Sequence, residues 1–220
     1  MINRNKTFPD NLNLDQIKFD KGKLGEGSYS IVRKALIDES EFAVKIISLE
    51  KGKSTFGECE KEKDIMKELT ASNSAGIVQY FGHYYDVQNQ NYYIVMENMN
   101  LGSLGSVIHE LEIKPFEWGT RLSIMKSTTV GIELLHKYNL VHFDINSNNI
   151  LLSGNFSNEK SLTAKLADFG LCRRTTESCD LLSTPHCMAP EVVRGNGFAV
   201  TASDIFSLAI LLCALTHIKR

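Results

Sequence analysis

The chain has 220 residues, 43% hydrophobic and 23% charged, and its 24 Lys and Arg against 26 Asp and Glu leave a net charge of −2. Such a composition supports one large domain or two lobes with a sizeable core, and excludes disordered, collagen-like and coiled-coil chains. The near balance of charge supplies no general attraction to nucleic acid or to an anionic membrane. Five cysteines at irregular spacing, with no C-x-x-C pair, argue against a disulfide framework or a structural zinc and predict a reducing, cytoplasmic compartment. The opening MINRNKTFPD lacks the apolar stretch of a secretory leader.

Residues 1–16 are polar and Asn-rich and are expected to form a flexible lead-in. From Ile17 to about Glu50, IKFDKGKL, SIVRKALI and EFAVKIISL place Val, Ile and Phe at strand spacing, an antiparallel meander. Thr55–Leu69 sets Phe56, Cys59, Ile65, Met66 and Leu69 at helical intervals with a charged outer face. IVQYFGHYY and NYYIVM read as two further strands. Beyond Asn100 the pattern turns helical. Ser103–Leu111 and Thr120–Lys137 are predicted helices, the second with Leu122, Met125, Val130, Leu134 and Leu135 on its buried side. Short apolar pieces between Leu140 and Leu166 precede a strongly apolar helix over about 201–216. Its core, Ile205–Leu215, is far shorter than the ~20 residues of a membrane span and reads as a buried helix. Strands first and helices later predict an α+β chain in two lobes, with a hinge near Glu97–Gly102.

Gly25-Glu26-Gly27-Ser28-Tyr29-Ser30-Ile31-Val32 lies between two strand-like runs. Glycines there let backbone N–H groups approach phosphate oxygens, although hairpins use Gly for turn geometry alone. No helix follows, unlike a Rossmann phosphate loop. Lys45, in Ala43-Val44-Lys45, sits inside an apolar strand; buried, it requires an anionic partner, and on a strand edge it would be merely solvated. His142-Phe143-Asp144-Ile145-Asn146-Ser147-Asn148-Asn149 follows a long helix, and Asp168-Phe169-Gly170 and Ala189-Pro190-Glu191 come later. Each motif alone is commonplace; their order and spacing together are not.

As a set they resemble the protein-kinase domain, with its glycine-rich loop, strand lysine, catalytic loop, DFG and APE segments, over roughly residues 17–217. The resemblance implies a β-rich first lobe with one helix (17–97), a hinge (98–102) and a mostly helical second lobe (103–217). It implies an ATP site of Leu24, Gly25, Glu26, Gly27, Ser28, Tyr29, Ser30, Ile31, Val32, Ala43, Lys45, Glu97, Met99 and Leu151. Lys45 would neutralise the α- and β-phosphates, and Met96 would be the gatekeeper before backbone contacts of Glu97 and Met99 to adenine. The helix partner of Lys45 would be Glu62, by the E-x-x-I-M spacing of Glu62–Met66, with Glu58 one turn earlier as the reserve. Asp144 would orient the substrate hydroxyl and accept its proton. Asn149 and Asp168 would hold Mg²⁺, a hard cation suited to oxygen ligands. Met66, Tyr80, His142 and Phe169 would stack as a spine, and Asp204 would anchor the catalytic loop.

Four features depart from the family pattern. Ser30 replaces the third loop glycine. Phe143 stands where most members carry the Arg that receives an activation-loop phosphate, which implies weak control of that kind. Asn146 replaces the Lys that contacts the γ-phosphate in serine/threonine kinases; an amide lacks the charge that stabilises the transition state, so restoring a Lys is expected to raise phosphotransfer. The chain also ends with the Asp204 helix, so Ile205–Leu215, apolar all round, is expected to lack cover and to favour self-association or a partner. Thr184-Pro185 before Met188-Ala189-Pro190-Glu191 resembles the serine/threonine pattern, whereas Asn146 has a tyrosine-kinase flavour. The functional expectation is an ATP-dependent kinase acting on Ser/Thr of protein substrates; the alternative is a weak or inactive pseudokinase serving as a nucleotide-binding or docking module.

Overall fold

A computed structural model of the chain describes residues 17–27, 30–50, 54–110, 116–177, 189–190 and 200–217. The lead-in, Ser28 and Tyr29, Leu111, and the segment carrying Thr184, Pro185, Met188 and Glu191 lie outside the described residues. The chain divides into two compact units: one runs through Ala71 and resumes at Gln79–Met99, the other takes Ser72–Val78 and everything from Asn100.

The first unit is a five-stranded sheet with one helix. Strands β1 (Lys18–Glu26), β2 (Ser30–Ile37), β3 (Ser40–Ser48), β4 (Tyr80–Asp86) and β5 (Asn91–Glu97) lie in the order β1-β2-β3-β5-β4, every neighbour antiparallel. The β2–β3 turn places Asp38 and Glu39 at φ 46° and 61°, the handedness that two-residue hairpins favour, without the glycine that usually signals it. Strand periodicity sorts the side chains into two faces. Ala35, Ile37, Phe42, Val44, Tyr93 and Val95 join Ile17 and Phe81 in one core. The intervening residues of β3 and β5, among them Ala43, Lys45, Ile47, Tyr92, Ile94 and Met96, occupy the opposite face. Helix α1 (Phe56–Ala71) buries Cys59, Glu62, Ile65, Met66 and Leu69. Its first residue, Phe56, is half-exposed, with its ring edge-on to Tyr85 and Tyr92.

The second unit holds β6 (Gly102–Ser103), α2 (Leu104–Glu110), α3 (Trp118–Lys137), β7 (Leu140–Val141), β8 (Ile150–Asn155), β9 (Asn158–Leu166), β10 (Arg173–Arg174) and α4 (Ala202–His217). Strands β6, β8 and β9 form one small sheet, and β10 pairs with β7. Residues 72–78, which a contiguous boundary would leave with the first unit, pack here: Val78 N–H donates to Leu166 O (2.9 Å) and Leu166 N–H to Gly76 O (2.9 Å).

Helix α3 buries Met125 and Leu135 as its apolar pattern predicts, but not Leu122 or Val130. Leu122 is 52% exposed and Val130 is also exposed, whereas Thr120, Arg121, Ile124, Met125, Thr128, Gly131, Ile132 and Leu135 are buried. Close approach decides the phase. A Cβ on Gly131 would lie 2.4 Å from Gly76 O and 3.3 Å from the Leu166 Cβ, so only this glycine lets α3 settle against that segment. Buried Arg121 donates to the carbonyls of Phe116 (2.9 Å) and Leu215 (2.8 Å), tying α3 to the end of α4.

Helix α4 is not covered on all sides, contrary to what its composition asks for. Ser203, Asp204, Ser207, Leu208, Leu211 and Leu215 face inward, while Ile205 (52% exposed), Phe206, Ile210 and Leu212 face outward. Among the described residues no helix is long and apolar enough to cross a membrane.

Candidate functional site

In the first unit the chemistry centres on Lys45. β3 is flanked by β2 and β5, and Lys45 lies in register with Val32 and Ile94, so the ammonium emerges from the middle of the sheet. It is 9% exposed, and Glu62 of α1 is 5% exposed; Lys45 Nζ and Glu62 Oε1 meet at 2.7 Å. Two charges this deep persist together because each satisfies the other, and either alone would carry a large desolvation penalty. Glu58 does other work. Thr55 N–H donates to its carboxylate (2.7 Å) and Glu58 N–H donates to Thr55 Oγ1 (3.2 Å), a reciprocal cap at the start of α1.

The glycine segment begins at the end of β1, where Gly25 faces Val32 and Glu26 faces Ile31. Gly27 N–H closes its turn on Ser30 O (2.8 Å). Leu24 is half-exposed and Ala43 and Met96 are buried. Glu97 N–H donates to Gln79 O (2.9 Å), so that amide is already committed, and the Met99 side chain is buried.

In the second unit β7 delivers the chain into the loop 142–149. His142 is fully buried; its Nδ1 accepts from Asp144 N–H (3.2 Å) and its Nε2–H donates to Ala167 O (3.2 Å), which fixes the tautomer. Phe143 adopts φ 65°, a left-handed conformation that costs a bulky residue on the order of 1–3 kcal/mol. Asp204, fully buried at the start of α4, holds this turn by accepting from His142 N–H (2.9 Å), Phe143 N–H (3.1 Å) and His136 Nε2 (3.0 Å).

Asp144 follows that turn, and its carboxylate is gripped from both sides. Asn146 Nδ2 donates to Oδ1 (2.8 Å) and Asn149 Nδ2 to Oδ2 (2.7 Å), while both amides also reach the Asp144 carbonyl. Asn146 Oδ1 in turn accepts from Asn148 N–H (2.9 Å). The residue identified in the sequence by its missing positive charge is thus built into the support of Asp144. Gly105 presses on the same loop: it donates to Ser147 O (2.8 Å), and a Cβ there would sit 2.5 Å from Asn148 Oδ1. Sequence reasoning missed Gly105, and its only signal is a Gly in the first turn of a short helix.

Ala167 N–H donates to Asn149 O (2.9 Å), joining the loop to Asp168, which also takes a left-handed backbone at φ 62°. Phe169 is buried with its ring edge against His142 at 5.4 Å. These are the two members of the expected spine that fall in this unit; Met66 and Tyr80 are buried in the first. Leu151 lies in β8 opposite Lys165. The donor set fits a hard divalent cation. Asn149 spends its NH₂ on Asp144, which leaves the amide oxygen as the atom it can offer, and Asp168 adds a carboxylate.

The first unit thus holds a buried lysine–glutamate pair and a glycine turn, and the second holds an amide-clamped aspartate and an Asp-Phe-Gly segment whose Asp168 is left-handed. The protein kinase domain family model matches residues 19–220, and the chain belongs to that family. It is similar to the serine/threonine-protein kinase cst-1 of Caenorhabditis briggsae, with 33% identity over 223 aligned residues and 94% of this chain covered. The chain spans 42% of the length of that relative.

Proposed function

We propose that the chain is a catalytically active, ATP-dependent kinase that phosphorylates serine and threonine hydroxyls of protein substrates. The observation that carries this reading is the Asp144 carboxylate, gripped by Asn146 and Asn149 at 2.8 and 2.7 Å on a loop anchored by buried Asp204. A binding module has no need of a carboxylate held so firmly. The buried Lys45–Glu62 pair supports it as well, since a docking surface would not have to bear the cost of that burial.

Asp144 would orient the substrate hydroxyl and take its proton as the hydroxyl oxygen bonds to the γ-phosphorus and the bond to the β-γ bridging oxygen breaks, leaving ADP. Lys45, kept in place by Glu62, would neutralise charge on the α- and β-phosphates. Asn149 and Asp168 would hold Mg²⁺, which when bound neutralises charge building on the phosphate oxygens. Gly25, Gly27 and the backbone up to Val32 would cover the phosphates, with Leu24, Val32, Ala43 and Leu151 against the base. Serine/threonine specificity is supported by the similarity to a serine/threonine-protein kinase and by Thr184-Pro185 ahead of the Ala-Pro-Glu motif. We also assign the outward face of α4 to self-association, on its exposed Ile205, Phe206, Ile210 and Leu212. The test of catalysis is Mg²⁺-dependent transfer of labelled phosphate from ATP to a generic protein, with Asp144→Asn as the control and the phosphorylated residue identified. A wild-type chain no more active than the control would return the reading to a pseudokinase.

A further inference from the structure

We propose that Tyr92 and Glu60 are positioning residues that lock the rotation of α1 and thereby preassemble the Lys45–Glu62 pair; as a role in catalysis this rests on the kinase reading above. The argument begins in the sheet register. Lys45 is opposite Ile94 and Ile47 is opposite Tyr92, so Tyr92 and Lys45 lie on the same face as diagonal neighbours. Helix α1 receives a bond from each. Lys45 Nζ takes Glu62 at 2.7 Å, and the Tyr92 hydroxyl donates to Glu60 Oε1.

Residues two apart on an α-helix lie about 200° apart around its axis, because each residue advances about 100°. Glu60 and Glu62 therefore leave opposite flanks of α1. A bond on one flank alone would let the helix roll about it, whereas bonds on both flanks oppose rotation in either sense. The Glu60 carboxylate is held at its other oxygen by Lys63 Nζ at 2.7 Å. Burial pushes the Glu60 carboxyl up, but the hydrogen bonds from Lys63 and Tyr92 outweigh it and hold it below the usual range, so it stays ionised as an acceptor.

The tyrosine is itself fixed. Tyr92 is fully buried, with the Phe56 ring edge-on at 5.8 Å and the His83 ring stacked at 5.8 Å. At the far end of α1, Thr70 Oγ1 accepts from Tyr80 N–H at 2.9 Å, which stops the helix sliding along the sheet. All of these contacts lie within the first unit. The Lys45–Glu62 pair is thus assembled by that unit's own residues, and its formation does not wait for a separate signal.

The test compares Tyr92→Phe, which removes only the hydroxyl, and Glu60→Ala, each in the wild-type and Glu62→Gln backgrounds of the full chain. Two readouts are taken: hydrogen exchange of the α1 amides, and kcat and KM for ATP. Loss of a hydrogen bond to a charged acceptor is expected to raise α1 exchange roughly tenfold or more and to lower kcat similarly in the wild-type background. Neither variant is expected to add to the loss in the Glu62→Gln background, because the lock acts through that residue. Unchanged α1 exchange in Tyr92→Phe, or a full additional loss in the Glu62→Gln background, would overturn the proposal. Glu60→Ala guards against a core defect in Tyr92→Phe, since its side chain is not fully buried. If wild-type chain transfers no phosphate yet α1 exchange responds as expected, the kinase reading fails and the lock stands.

Discussion

Asp144, Lys45 and Asn146 are each held by specific neighbours, and those neighbours decide what substitution will do. Lys45→Met leaves the Glu62 carboxylate buried without its counterion, a defect worth ~3–5 kcal/mol in comparable buried pairs. The expected result is a large drop in the urea midpoint together with loss of ATP turnover. Adding Glu62→Leu should recover most of the stability and none of the turnover. Recovery of both would remove Lys45 from the nucleotide site. Asn146 carries the clearest change of role between sequence and structure. As a replacement for a phosphate-contacting Lys it reads as a weak point, but its amide donates to Asp144 Oδ1 and accepts from Asn148. Asn146→Ala is therefore expected to lower kcat about tenfold, the equivalent of one lost hydrogen bond of ~1.4 kcal/mol. Asn146→Lys keeps a donor and adds positive charge, so its kcat should rise. Steady-state kinetics check both, and an Ala variant at the wild-type rate would show that Asn146 does not support Asp144.

Among the elements, α3 shows where sequence reading reaches its limit. Strand and helix positions were legible because Val, Ile and Phe in β1 to β5, and the spaced apolar residues of α1, report burial through transfer free energy. The side of α3 that faces inward was legible only in part, since Met125 and Leu135 are buried as expected. Leu122 and Val130 are apolar yet exposed, because the helix packs where Gly131 allows backbone contact with Gly76. Small size leaves no trace in an apolarity pattern. The same blindness hid Gly105, whose missing side chain admits Asn148. The cap on α1 was missed for another reason: Thr55 followed three residues on by Glu58 is a capping-box pattern, but Glu58 enters the sequence reading only as a reserve partner for Lys45. Gly131→Ala makes the point measurable. An exposed helical position would gain up to ~1 kcal/mol from that change, but here the new Cβ meets a carbonyl oxygen at 2.4 Å. Overpacking of this kind costs ~1–3 kcal/mol, so the clash should win and the urea midpoint should fall. A rise in the midpoint would mean that α3 can move away from Gly76 freely.

For the molecule as a whole, the candidate site residues were easier to pick out than the packing around them. Lys45, Glu62, Asp144, Asn149 and Asp168 stand out by residue type and order, whereas assignment of residues 72–78 to the second unit depends on contacts that no local pattern encodes. Helix α4 joins the two concerns. Its inward face supplies Asp204 to the loop 142–149, and its outward face exposes Ile205, Phe206, Ile210 and Leu212. Burying a large aliphatic side chain is worth ~1.5–3 kcal/mol, so covering several of these in a second copy would offset a large part of the cost of association. Sedimentation at rising concentration should therefore show species above monomer size, and Ile205→Lys with Leu212→Lys should return the chain to monomer. A wild-type monomer throughout the range would contradict the assignment.

The claim on which everything else depends is that Asp144 acts as the base of a phosphoryl transfer. The direct measurement is the rate of Mg²⁺-dependent transfer of labelled phosphate from ATP to a protein substrate by wild-type chain and by Asp144→Asn, both shown to be folded. A Ser- or Thr-linked product that falls by ~10²-fold or more in the variant is the expected result, since proton transfer by a positioned group contributes ~10²–10⁴-fold. Equal rates for the two proteins, or no transfer by either, would contradict it.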